Sequence, residues 1–176
     1  MIYLIGGTPR VGKSTLASLI LERNKISVLS TDIIRNLIDF APTKVGIKDL
    51  PVEEKSNAFF PYFLQLLKIL QNKYTDYVIE GDLFTPEQIT TIQEVIHFKC
   101  CFLGTSNTTL ENLKKIKDEH DWVSRFPKEE QEKLPEQFIE RSAVTKKETE
   151  KYNFPYFDIY PDRDKAIEAA YNSLFK

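Results

Sequence analysis

Eight residues near the start of the chain, Gly7-Thr8-Pro9-Arg10-Val11-Gly12-Lys13-Ser14, have types and spacing suited to the gripping of phosphate. They match the pattern G-x-x-x-x-G-K-[ST], in which a glycine-interrupted backbone turns its N–H groups around phosphate oxygens. In such a loop Lys13 reaches the terminal phosphates, the Ser14 hydroxyl can ligate Mg2+, and Thr15 adds a hydroxyl further down the nucleotide. A helix starting at the loop adds the partial positive charge of its N-terminus. The context agrees. The β-favouring run Ile2-Tyr3-Leu4-Ile5 precedes the loop, and Ser14 to Arg23 follows it with Leu16, Leu19 and Ile20 on one helical face.

Three carboxylates stand at comparable places further on. Asp32 ends the strand-like "ISVLSTD" (26–32), and Glu80 and Asp82 follow the apolar Tyr77-Val78-Ile79 within "DYVIEGDLFTPEQI" (76–89). Acids directly after a buried strand are costly unless they meet a cation, water or a substrate. Asp32 also suits capping of the next helix, as does Thr31. Glu80 suits either holding Mg2+ waters or a structural hydrogen bond. Arg35, about one turn past Asp32, either faces the same cleft and holds a polar or anionic substrate group or lies in solvent.

The elements that must position these groups can be traced along the chain. After the second strand, Ile33 to Ile38 starts a helix. A loop with Pro42, Gly46 and Pro51 leads to a long helix in which Phe59, Phe63, Leu66, Leu67 and Leu70 recur at helical spacing, with Pro61 as a possible kink. A helix starts at Pro86, a fourth strand covers 95–104, and Ser106 is placed to cap the helix carrying Leu110, Leu113 and Ile116. A charged stretch from about Lys114 to Lys151 includes Trp122 to Phe126, Pro127 to Leu134 and a long helix opened by Pro135. "FPYFDIY" (154–160) is a fifth strand, and Arg163 to Phe175 the closing helix. Five strands alternating with helices imply an α/β fold with a parallel sheet covered on both faces.

Composition narrows the function classes. The 176 residues, 41% hydrophobic and 28% charged, suit one domain that starts at its first residue. A net charge of -2 gives no basic field for nucleic acid. No apolar run approaches the roughly 20 residues of a membrane span. Cys100 and Cys101 are adjacent in an apolar run, with no histidine at zinc spacing, which fits a reducing, cytoplasmic setting. His97 and His120 read as structural or solvated, and the aromatic "AFFPYF" as core and pocket lining, with Phe59, Phe60, Tyr62 and Phe63 beside an acceptor.

"IGGTPRVGKSTLA", "STDIIRNLI" and "VIEGDLFTPEQI" together resemble the small-molecule kinases that include adenylate, shikimate and gluconate kinases, closest to the 2-phosphoglycerate kinase-like branch. The likeness runs from Met1 to about Gly104 and again over "KKETEKYNFPYFDI"; 105–140 has no matching pattern. It implies a three-layer P-loop fold with strand order 2-3-1-4-5, a mobile lid at about 114–140, and transfer of the ATP γ-phosphate, with Mg2+, to a small acceptor. "YVIEGD" departs from the four apolar residues and Asp-Glu of many P-loop ATPases, which favours a kinase over a motor. Asp32 matches the aspartate that in many such kinases sits beside the acceptor hydroxyl as base or outer-shell Mg2+ anchor. On the residues' own terms, strand carboxyl ends should bring Lys13, Asp32, Glu80 and Asp82 together.

Cations must neutralise the transferring phosphoryl group. Arg125, Lys128, Arg141, Lys146 and Lys147 form the pool, with Arg141 and Arg125 preferred because only arginine offers a fixed fork; each also suits an ordinary charged surface. The loop 160–163 resembles the adenine-holding segment of these kinases. Lacking several acceptor-side arginines and an Asn-Lys-x-Asp signature, the chain suits a non-nucleotide acceptor and ATP over GTP. A nucleotide-binding regulatory or toxin-like module acting through a protein partner is the competing class.

Overall fold

The computed structural model describes residues 1–41, 46–115 and 123–175, with the side chain of Glu53 left aside. Trp122, His120 and Ile116 lie outside the described residues. Five strands, β1 (Ile2–Gly7), β2 (Ser27–Ser30), β3 (Tyr77–Glu80), β4 (Phe98–Gly104) and β5 (Tyr156–Asp158), form one sheet in the order β2-β3-β1-β4-β5. Every pairing is parallel. The helices are α1 (Lys13–Asn24), α2 (Thr31–Phe40), α3 (Val52–Leu70), α4 (Pro86–Thr90), α5 (Leu110–Lys115), α6 (Lys128–Tyr152) and α7 (Arg163–Phe175).

The period of two along β1 divides the interior. Ile2 and Leu4 enter one core with Phe59, Phe63, Ile79 and Phe102, whereas Tyr3 and Ile5 enter the other with Leu16, Ile20, Ile167 and Leu174. Helices α3 and α4 thus cover one face and α1 and α7 the other. A small third cluster, Leu113, Val123, Leu134 and Phe138, joins α5 to the first half of α6 apart from the sheet.

Several boundaries differ from the sequence reading for local reasons. Helix α2 starts at Thr31, and Ser30 caps it by accepting the Asp32 N–H at 3.3 Å, so neither Thr31 nor Asp32 is the cap. Thr109 rather than Ser106 caps α5, accepting the Asn112 N–H at 3.2 Å, while the Ser106 N–H donates to Asp158 at 3.0 Å. The Val95 and Ile96 N–H groups close a helical turn onto the Ile92 carbonyl, and β4 begins at Phe98. Helix α6 does not open at Pro135; it starts after Pro127 and passes through Pro135. The missing N–H leaves one carbonyl, that of Gln131, without its helical donor, and the buried flanks Leu134 and Phe138 hold the helix through the defect. Pro61 lies likewise inside a continuous α3. The predicted Pro86 start is found, with Thr85 and Gln88 bonding reciprocally across the first turn.

Candidate functional site

The phosphate loop joins β1 to α1 at the carboxyl edge of the sheet. Gly7 has φ 128°, and a Cβ there would overlap the Leu103 carbonyl of β4. Gly12, at φ 93°, precedes α1 and lies under Arg163, whose Nε would be 3.2 Å from a Cβ. Both positions require glycine. Arg10 is left-handed as well, at φ 63°, and its Nη1 donates to the Leu113 carbonyl at 3.0 Å. Lys13, 8% exposed, donates from Nζ to the Thr8 carbonyl at 2.7 Å across the loop. Burial lowers its pKa from the ordinary lysine value; Asp82, Glu80 and Asp32 oppose the shift and Arg141 adds to it.

That set of influences describes the site. From β3, Glu80 is 8% exposed and faces the Ser30 and Ser14 hydroxyls, which favour its charged form. Burial raises its carboxyl pKa, and Lys13 offsets part of the rise. Asp82, two residues on, faces Arg141 of α6 with Nη2 to Oδ2 at 3.6 Å. Asp32 pairs with Arg35 of the same helix at 2.9 Å. Crowding by the cleft wall and then the charge of Asp82 raise its pKa, against Arg35, Lys13 and Lys55. Gly81 permits the approach, since a Cβ there would overlap the buried Thr31 at the head of α2.

A cleft of about 920 Å3 contains Lys13, Ser14, Asp32, Glu80, Asp82 and Arg141 on its walls. A second cavity of about 340 Å3, bounded by Asn107, Leu113, Tyr160 and Pro161, adjoins it; Arg10 and Arg163 border both. Arg163 Nη2 donates to Thr15 Oγ1 at 3.0 Å, which ties the start of α7 to the start of α1.

The residues Gly7 to Thr15, Asp32, Arg35, Glu80, Asp82 and Arg141 are therefore brought to one edge, with Lys13, Ser14, Asp32, Arg35 and Arg141 all on the larger cleft. Arg125 is not: it is exposed and does not line the cleft, because its 3-10 turn, Val123–Arg125, buries Val123 instead. The lysines at 128, 146 and 147 do not line it either. Phe59 and Phe63 are fully buried in the core beneath the site, so they do not form an acceptor wall. The sequence reading missed Lys55, Lys133 and the dual position of Arg10. Only Arg10 carried a signal, by sitting inside the motif.

Among the described residues, no helix is long and apolar enough to cross a membrane. No protein-family model matches the chain, and no curated protein matches it. Solved structures do match over nearly the whole chain. A shikimate kinase from Bacteroides thetaiotaomicron is 16% identical with a TM-score of 0.61, covering 99% of this chain and 96% of its own. A gluconokinase from Sinorhizobium meliloti is 13% identical with a TM-score of 0.57, covering 99% and 90%. A deoxyadenosine kinase from M. mycoides is 17% identical with a TM-score of 0.54, covering 99% of each chain. The fold shared with these P-loop small-molecule kinases is the one the strand order describes.

Proposed function

We propose that the chain, with this P-loop kinase fold, is an ATP-dependent phosphotransferase acting on the hydroxyl of a small, non-nucleotide metabolite. The observation that carries the proposal is the convergence of Lys13 from α1, Asp32 from α2, Asp82 from the end of β3 and Arg141 from α6 in one cleft. A phosphate grip alone needs only the first. The other three supply what phosphoryl transfer requires on the acceptor side, a carboxylate to orient a hydroxyl and a fixed cation to offset developing charge. The neighbours' names, gluconokinase, shikimate kinase and deoxyadenosine kinase, support a small acceptor.

In this reading the loop from Gly7 to Thr15 holds the triphosphate, and the adjoining cavity by Tyr160 and Pro161 takes the base. Asp32 accepts a hydrogen bond from the acceptor hydroxyl and takes its proton as the bond to phosphorus forms; its raised pKa favours that role. Lys13 and Arg141 balance charge on the transferring group. Arg35 and Lys55, beside Asp32, favour an acceptor that also bears an acidic group. Within the segment at about 114–140, the described residues from Phe126 to Phe138 border the cleft and act as its lid within a single domain.

The donors fit Mg2+. Among the described residues no group of three or more His, Cys, Asp or Glu could hold a metal, and nearest the loop the oxygens are the Ser14 hydroxyl and the buried Glu80 carboxylate facing it, with Asp32 and Asp82 further along the cleft. Such a sparse hard-oxygen set suits an ion that keeps several waters and takes phosphate oxygens. Bound there, Mg2+ would neutralise and orient the phosphates.

The test is a metabolite panel incubated with γ-labelled ATP and Mg2+, with product identified by mass spectrometry. Lys13→Ala should reduce transfer at least about 1000-fold, in line with removal of a principal charge stabiliser. Asp32→Ala should reduce it by about 100-fold or more, as expected for loss of a general base, with ATP affinity within about threefold of wild type. Transfer at near wild-type rate by the Asp32 variant would remove that residue from the mechanism.

A further inference from the structure

We infer that Ser142 is a positioning residue that couples the phosphate loop to Arg141 through a buried hydroxyl bridge. Ser142 is 1% exposed, and its Oγ lies 2.9 Å from Thr8 Oγ1 while accepting the Thr105 N–H at 3.0 Å. One hydroxyl thus joins three elements at the carboxyl edge of the sheet: the loop after β1, the residue after β4, and the middle of α6. The contact is close by construction. A Cβ on Gly104 would be 3.0 Å from that of Ser142 and would overlap the Tyr156 hydroxyl, which donates to the Ser142 carbonyl at 3.4 Å.

Each partner of the bridge leads to the chemistry. Thr8, 2% exposed, uses its side chain on Ser142 and its carbonyl on Lys13 Nζ, at 2.7 Å. On the other side, the residue before Ser142 is Arg141, whose guanidinium faces Asp82 and whose charge is felt at Lys13. Helix α6 is 25 residues long, contains Pro135 seven residues before Ser142, and is mostly exposed along its outer face. A helix held only by apolar contacts can slide or rotate by a fraction of an ångström at small cost; a buried bifunctional hydroxyl cannot, because each displaced partner becomes an unsatisfied buried polar group. The bridge therefore fixes the register of Arg141 against Lys13, and a shift of the phosphate loop is passed to α6 through the same bond.

Two measurements test the coupling. The first does not depend on the proposed activity: the Nε–H order of Arg141, read by heteronuclear NMR, should fall in Ser142→Ala toward the value of the exposed Arg125, with near-UV circular dichroism unchanged. A Thr8→Val variant should do the same and Thr8→Ser should not. The second rests on the nucleotide reading and follows slow hydrolysis of Mg2+-ATP by water. Ser142→Ala should lower kcat about tenfold with KM for ATP within about threefold, and Arg141→Ala should have less than about threefold further effect in that background, since residues acting as a unit are not additive. Unchanged Arg141 order, or Arg141→Ala acting independently of Ser142→Ala, would overturn the inference. Loss of all ATP binding and hydrolysis in the wild type would instead remove the activity reading and leave the NMR result to decide the bridge.

Discussion

At the scale of single residues, the site is built from charges kept near one another at a cost to the fold. Partial burial in the cleft wall and then the charge of Asp82 raise the pKa of Asp32, so the folded protein binds its proton more tightly than the unfolded chain does. The charged form therefore opposes folding at neutral pH, and that penalty is relieved as pH falls through the raised pKa into the ordinary carboxylate range. Asp32→Asn keeps the shape and removes the charge. Its melting temperature at pH 7 should equal or exceed that of wild type, with the advantage shrinking toward pH 4, while phosphoryl transfer is lost; thermal scans across pH with parallel assays check both. A variant melting well below wild type at pH 7 would mean that the pair with Arg35, at 2.9 Å, outweighs the crowding. The sequence located this carboxylate by its place after a strand but left open whether it was a cap. Ser30 resolves that: its hydroxyl accepts the Asp32 N–H, which leaves the aspartate side chain available for Arg35 and the cleft. Capping choices between adjacent Ser, Thr and Asp depend on where the strand stops pairing, and β2 stops at Ser30 opposite Glu80 of β3.

At the scale of elements, α6 is where sequence and structure diverge most. Pro135 reads from the sequence as a helix start, because proline is favoured in a first turn. It lies instead in the third turn of a continuous helix, retained because Leu134 and Phe138 on either side bury against Leu113 and Val123. The two arrangements predict opposite results for Pro135→Ala. In the continuous helix, alanine restores the N–H for the Gln131 carbonyl and should stabilise the protein by about 1–3 kcal/mol. At a true helix start it would be neutral or destabilising. Denaturant titration separates them. The element types were legible through their periods of 2.0 and 3.6, and the phosphate loop through its motif. Part of the cleft wall was not. Lys55 and Lys133 reach it only through the packing of α3 and α6, which no local pattern encodes, and Arg125 misses it because its turn buries Val123. Phe59 and Phe63 read as pocket lining by their aromatic character, yet the two rings stack on each other, and Phe63 on Phe84, within the core.

At the scale of the molecule, the cleft lies where separate parts of the chain meet. The larger core holds β3 and α3 behind Asp32 and Asp82, the second holds α1 and α7 behind Lys13, and the small cluster under α5 carries the first half of α6. Arg163 joins α7 to α1 at Thr15, and Ser142 joins α6 to the loop. A nucleotide bound between these parts would contact more than one of them, so its binding energy should appear as resistance to global unfolding. At a free Mg2+-ATP concentration about 100 times its dissociation constant, linkage predicts about 2.7 kcal/mol of added stability. For a chain of this size that corresponds to roughly 5–10 °C in melting temperature. Two controls assign the shift. Lys13→Ala should abolish it by removing the cation that the triphosphate needs, whereas Asp32→Asn should retain it, because the acceptor-side carboxylate makes no demand on the donor. If ATP left the melting temperature of the wild type unchanged at millimolar concentration, the loop would be a structural turn and the activity built on it would fall; a shift that survived Lys13→Ala would place the nucleotide somewhere other than this cleft.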